Sequence, residues 1–222
     1  MDKHSQKSEG FFYLFQVISD LVLINLLWFV CSLPVITAGT STCAAFSVML
    51  KLVRGEGSNT IKSFFKAFKD NFKRGVLYGL IVIAAIFILY VDISFALAQE
   101  GVFRYVCLIA YGIMMAIVLI FVTYVFPLQA RYENTFRGHI KNAFLLTFCA
   151  PGKTILMWII YSIPIAMFIL LPFEVVLYIA FFFFLFSVSL PMYFNSKILR
   201  QVFDIFVKDE QNNDQRRSEE AC

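Results

Sequence analysis

Charge is scarce in this 222-residue chain: Asp, Glu, Lys and Arg make up 15% of it, and hydrophobic residues 60%. A soluble domain carries about 25% charged residues, so too little polar surface remains here to cover a water-soluble globule. Histidine is nearly absent. His4 and His139 are the two, far apart and without ligand-like spacing. The five cysteines, Cys31, Cys43, Cys107, Cys149 and Cys222, form no CxxC. No zinc or disulfide framework is legible, and thiols in apolar runs behave as small hydrophobes. There is no HExxH and no GxSxG, and Gly152-Lys153-Thr154 lacks the first glycine of a phosphate loop, because Thr147 stands there. These absences argue against an enzyme, a resident metal and a cofactor. The net charge of +4 does not indicate nucleic acid, since no basic domain stands apart from the apolar runs.

What the chain has is long uncharged stretches. Leu21–Leu50, Gly75–Val91, Tyr105–Ala130, Thr154–Phe173 and Val175–Ser196 contain no Asp, Glu, Lys or Arg. About 20 residues of helix cross the roughly 30 Å of hydrocarbon. The segments between them alternate between basic and nearly neutral, and 18 of the 19 Lys and Arg fall on one side, leaving Arg104 on the other. This is the positive-inside pattern of a multi-pass cell-membrane protein, with the C-terminus cytoplasmic. The fold class is all-α, a polytopic bundle of about six transmembrane helices. Pro34, Gly39 and the Thr/Ser cluster at 37–42 break residues 11–53 into a hairpin, which also makes the N-terminus cytoplasmic. If 11–53 were one kinked crossing, the count would be five. Residues 1–10 and 206–222 are polar and expected to be disordered; 11–205 form the membrane domain.

Residues 59–74 read as an interfacial amphipathic helix. Ile61, Phe64, Phe65, Phe68 and Phe72 fall on one arc, with Lys62, Lys66, Lys69 and Lys73 beside it. Such a helix lays its rings at the acyl boundary and its amines among phosphates. Its plainer role is to anchor the loop; its functional role would be a cytoplasmic surface for lipid or a partner. Arg131 and Asn134 extend that candidate surface. Within the spans, polar residues are few: Asp20, Asn25 and Asp92. Ionisable groups in lipid are costly and often functional, although Asp20 and Asp92 also suit an interface, and Asn25 suits helix–helix hydrogen bonding.

Several stretches resemble the YesL-type family of bacterial membrane proteins. They are Asn25-Leu26-Leu27-Trp28, Ser32-Leu33-Pro34-Val35-Ile36-Thr37-Ala38-Gly39, Lys51-Leu52-Val53-Arg54-Gly55-Glu56, Phe64-Phe65-Lys66 through Asn71-Phe72-Lys73, Phe126-Pro127-Leu128 with Ala130-Arg131-Tyr132-Glu133-Asn134, and Lys141-Asn142-Ala143. The likeness covers roughly residues 10–205. The family often has Gly-Pro-Ala-Thr where this chain has Gly39-Thr40-Ser41-Thr42. The resemblance implies a Gram-positive membrane protein of undetermined function, often encoded beside carbohydrate ABC importers. Three functions follow as expectations: an accessory protein contacting ABC importer subunits, a small-solute transporter with a cavity lined by Asp20, Asn25 and Asp92, or a membrane scaffold or sensor. The lipid bilayer is the one partner that the residues themselves specify, and they say nothing of the oligomeric state.

Overall fold

A computed structural model of the chain describes residues 3–56, 59–132 and 134–220, and the side-chain surroundings of 12–204 apart from 57, 58 and 133. Among the described residues there is no strand. The helices are α1 (Lys3–Ser32), α2 (Ala38–Val53), α3 (Thr60–Asp70), α4 (Phe72–Leu97), α5 (Gly101–Arg131), α6 (Phe136–Cys149), α7 (Pro151–Leu170), α8 (Phe173–Phe186) and α9 (Ser189–Glu220). Five described stretches are long and apolar enough to cross a membrane: Phe12–Ser32, Val35–Val53, α4, α5 and α7. The bent pair α8 and Ser189–Asp204 makes a sixth. The all-α, roughly six-span architecture is the one the charge pattern predicts.

The backbone continues α1 from Lys3 and carries α9 to Glu220. Extending an existing helix requires no new nucleus, so a polar tail can follow its apolar neighbour without a packed face of its own.

The break after α1 follows from Pro34. Proline disfavours helical backbone in the residue before it, and Pro34 is itself extended (φ −73°, ψ 107°). Thr37 Oγ1 then donates to Cys31 O (2.6 Å) and lies 2.7 Å from Pro34 O, satisfying carbonyls that the end of α1 leaves open. α1 and α2 pack against each other, with Trp28 Nε1 donating to Thr42 Oγ1 at 3.0 Å. Residues 11–53 therefore form a hairpin rather than one kinked rod.

The tip of that hairpin sits low on α4. Gly39 meets Gly75 and Gly79 backbone to backbone, and Ile36 O lies beside Gly79. Leu80 to Leu97 extend beyond this contact, about 27 Å at 1.5 Å per residue. If α4 crosses a membrane over its whole length, the hairpin turns back inside that layer and α1 and α2 together do not reach its far side. In a cysteine-free background, a thiol at Val35 is expected to resist a membrane-impermeant reagent applied from the neutral side. A thiol at Gln99, in the α4–α5 turn, should react at once. Equal labelling of the two from that side would show that the hairpin crosses fully.

α2 is the central element, packed on α1, α3, α4, α5 and α9, with Cys43, Ala44, Ala45 and Met49 wholly buried. Most of the other buried side chains, including Tyr78, Tyr124, Leu146, Met157, Leu199 and Phe203, cluster around it. The far halves of α4 and α5 turn Phe87, Tyr90, Ile109 and Ile113 outward, and α8 buries none of its residues. An all-round apolar helix belongs in lipid. Interhelical hydrogen bonds join α5 to α7: Tyr124 Oη with Thr154 Oγ1 (2.6 Å), and Trp158 Nε1 to Thr123 Oγ1 (2.9 Å). Small residues at close contacts and such polar pairs are how helices associate where no hydrophobic drive separates protein from lipid.

Candidate functional site

None of the three polar residues expected within the spans lines the basic cleft or the apolar cavity described below. Asp20 is half-buried and accepts a hydrogen bond from Thr60 Oγ1 at 2.6 Å. Thr60 opens α3, so this carboxylate sits at a helix N-terminus, where the macrodipole favours it. Asn25 is fully buried. Its Nδ2 donates to Phe184 O (2.6 Å), and its Oδ1 accepts from Val188 N and Ser189 N (3.1 Å each). It thereby satisfies the backbone groups exposed where α8 and α9 meet at a 48° bend. Asp92 lies half-buried in the far half of α4. Two of the three join helices.

The segment 59–74 is two helices. α3 starts at Asn59, whose side chain accepts from Lys62 N (3.2 Å), and ends at Asn71, whose Nδ2 bonds back to Ala67 O (2.9 Å). Phe72 belongs to α4. The aromatic arc is also divided. Phe64 is fully buried and Phe68 half-buried, because α3 docks on α1 and α2, whereas Ile61, Phe65 and Phe72 stay exposed. Rings 64, 68 and 72 form a ladder with centroids 6.3 and 5.8 Å apart. Of the five residues expected to meet lipid, Phe64 wholly and Phe68 in part belong to the protein core.

That docking opens a cleft of about 930 Å³ between α2, α3, the start of α4 and the end of α5. Lys51, Lys66, Lys69, Lys73, Arg74 and Arg131 line it, with Asp70 its one acid. Lys62 is outside it. Lys66, Lys69, Lys73 and Arg74 are exposed, while Lys51 and Arg131 are half-buried. Among the described residues the only ion pair is Arg54–Glu56 (3.5 Å), so no carboxylate there is paired with any of the six. Arg131 is held in place by stacking over Tyr132 and Phe203, 5.2 and 5.0 Å from the ring centroids. Behind the cations runs a polar chain: Gln129 Nε2 donates to Asn71 Oδ1 (2.9 Å), and Tyr78 Oη reaches Gln129 Oε1 at 3.4 Å. Asn134 lies apart from the cleft lining, its Oδ1 accepting from Thr135 N (2.7 Å) at the start of α6. Glu133 lies outside the described residues.

His139 of α6 is completely buried, edge-on to the Tyr78 ring. Burial pushes its imidazole below its ordinary pKa of 6.5, and the Arg74 guanidinium adds to the shift. A depressed folded pKa means that the unfolded chain binds the proton first, so stability falls as pH drops below about 6.5. Detergent-solubilised protein is expected to melt lower at pH 5 than at pH 7.5, and His139→Phe should flatten that difference. An unchanged pH dependence in His139→Phe would assign it to other groups.

Sequence reasoning found Lys66, Lys69, Lys73 and Arg131 but missed Lys51, Arg74, Gln129 and His139 as their neighbours. Gln129 was the available signal, an amide at the end of a long apolar run, two residues before Arg131.

Comparison with known proteins finds similar sequences. A family model described as a protein of unknown function, DUF624, matches residues 21–93, from the second half of α1 to most of α4. The uncharacterised protein YesL of Bacillus subtilis (strain 168) is 27% identical over 141 residues, 62% of this chain and 66% of that protein. The chain is thus similar to the YesL-type group of uncharacterised proteins. The uncharacterised protein YteU of the same organism is 28% identical over 195 residues, 85% of this chain and 81% of that protein. The YesL match thus spans about two thirds of that relative. The family region contains the hairpin tip, Gly75, Gly79 and five of the six cleft cations. No solved structure matches the chain.

Proposed function

We propose that this chain, similar to YesL-type proteins, is a non-enzymatic accessory membrane protein that works by contact, with its basic end in the cytoplasm and ABC importer subunits for a carbohydrate as its partners. The observation that carries the contact reading is the distribution of polar groups. Asn25, Thr123, Thr42 and Thr154 are spent on hydrogen bonds between helices, while six cations, none in an ion pair among the described residues, line one cleft. The orientation rests on the bias of Lys and Arg. The class of partner rests on the family resemblance, an association rather than a contact geometry.

A transporter of sugars fits less well. The cavity within the apolar layer, about 630 Å³, is lined by Trp28, Phe46, Phe126, Trp158 and Met192 among others. The indole N–H groups of Trp28 and Trp158 are taken by threonines, and Ser162 Oγ bonds back to Ile159 O (2.8 Å). A sugar entering it would lose its water and find few free donors.

Affinity purification of the tagged full-length chain from native membranes tests the reading, with a photo-crosslinker at the exposed Phe65. Crosslinks to importer membrane subunits are the expected result. Uptake of labelled sugar by vesicles that contain this protein alone would overturn the reading in favour of a transporter.

A further inference from the structure

We propose that the basic cleft is a binding site for a phosphate-bearing anion, either the headgroup of an anionic lipid or a small soluble phosphate compound. The inference stands on the cleft itself and does not depend on an importer partner. Six cations from four elements converge there around one carboxylate, Asp70. Like charges gathered in this way repel one another, and a multiply charged anion relieves the repulsion. Screening by water alone requires no such convergence. The volume, about 930 Å³, lies within the usual range of ligand sites and exceeds what a single ion needs.

Three further features suit phosphate. Arg131 is pre-positioned over Tyr132 and Phe203, so its planar fork loses little freedom on engaging an oxyanion. The first turn of α4, Phe72 to Arg74, lines the cleft without a side-chain cap, because the Asn71 amide is occupied by Ala67 O and Gln129. A helix N-terminus of that kind adds to an anion site already built from cations. The half-buried Phe68 and the exposed Phe72 give the rim an apolar edge. The cleft also lies where the uncharged run of α4 begins and that of α5 ends, the level of lipid phosphates if these helices cross.

The test uses the full-length protein in nanodiscs. One arm compares phosphatidylcholine discs with discs containing a minor fraction of cardiolipin, reading retained lipid by native mass spectrometry. The other titrates pyrophosphate onto phosphatidylcholine discs by calorimetry. Each is run on wild type, on the cleft variant Lys66→Gln/Lys69→Gln/Lys73→Gln, and on a control of equal charge change, Lys62→Gln/Lys141→Gln/Lys153→Gln. Lys51→Gln, on a different helix, probes the cleft independently of α3. Binding weaker by on the order of a hundredfold in the cleft variant, with the control near wild type, is expected. Retention of cardiolipin would identify a lipid ligand, and saturable pyrophosphate binding a soluble one. Equal losses in the cleft and control variants would reduce the effect to general attraction between a basic surface and anions, and overturn the site. So would the absence of binding in both arms. Neither failure bears on the crosslinks to a partner at Phe65.

Discussion

Gly39→Ala is expected to leave little folded protein. A Cβ at Gly39 would strike the Gly75 carbonyl oxygen and lie 2.8 Å from Gly79 Cα and N. All of these are backbone atoms of α4, which cannot rotate aside as a side chain can. Overpacking in a close-packed interior costs about 1–3 kcal/mol even where side chains yield, and here the helices themselves must separate. We expect a loss of about 3 kcal/mol or more, seen as aggregation on fluorescence-detected gel filtration and a strongly lowered melting temperature. The geometry also ranks the neighbours. At Gly75 a Cβ would meet Thr40 Cα at 2.6 Å, and at Gly79 it would meet Gly39 N and Cα at 3.1 and 3.2 Å. Gly75→Ala should therefore be nearly as damaging, and Gly79→Ala milder. Gly112, in the middle of α5, has nothing within 4 Å of its Cβ position, so Gly112→Ala should be neutral or slightly stabilising. If Gly39→Ala and Gly112→Ala melt alike, α2 and α4 do not meet as described.

Asn25→Leu carries the second large effect. The substitution keeps the branched skeleton and removes three hydrogen bonds at once, leaving Phe184 O, Val188 N and Ser189 N without that partner in an apolar setting. An unsatisfied buried group costs about 1–3 kcal/mol, but interhelical bonds in membranes average less because the backbone finds substitutes. About 2–3 kcal/mol for the set is the expected loss. Asn25→Asp sharpens the test. It retains oxygens for the two N–H groups but turns the other oxygen toward Phe184 O, where two acceptors repel. It should be as damaging as Asn25→Leu or worse, whereas Asn25→Gln should recover part of the loss. Thermal melting in detergent measures all three. An Asn25→Leu variant within half of the expected loss would show that another group closes the α8–α9 bend.

These two sites show what was legible. Asn25 was identifiable as a polar residue in an apolar run, and helix joining was one of its expected roles. Its partners were not, since they lie about 160 positions away in sequence, at a bend over Phe186-Ser187-Val188-Ser189 whose local signal, Pro191, marks a break at the Ser187 carbonyl but names no partner for it. The glycine contact was half visible. Gly75-Val76-Leu77-Tyr78-Gly79 is a small-xxx-small helix face, yet nothing local names Gly39 as its partner. Likewise the Lys66, Lys69 and Lys73 stripe reads from spacing alone as a solvated edge beside an aromatic arc. Only the docking of Phe64 into the core, and the arrival of α5 beside Asn71, turn that edge into one wall of a cleft.

The sequence by itself determined the class of solvent, the approximate number of spans, the ends of several helices and the asymmetry of charge. Those properties are sums over local residues: hydropathy, proline geometry, capping side chains and the bias of Lys and Arg. The tertiary structure alone decided how deep the first hairpin reaches, which rings are core rather than lipid-facing, and that six cations share one cleft. Each of these is a relation between residues distant along the chain, set by close backbone approach and by hydrogen bonds that have no other partner in an apolar medium.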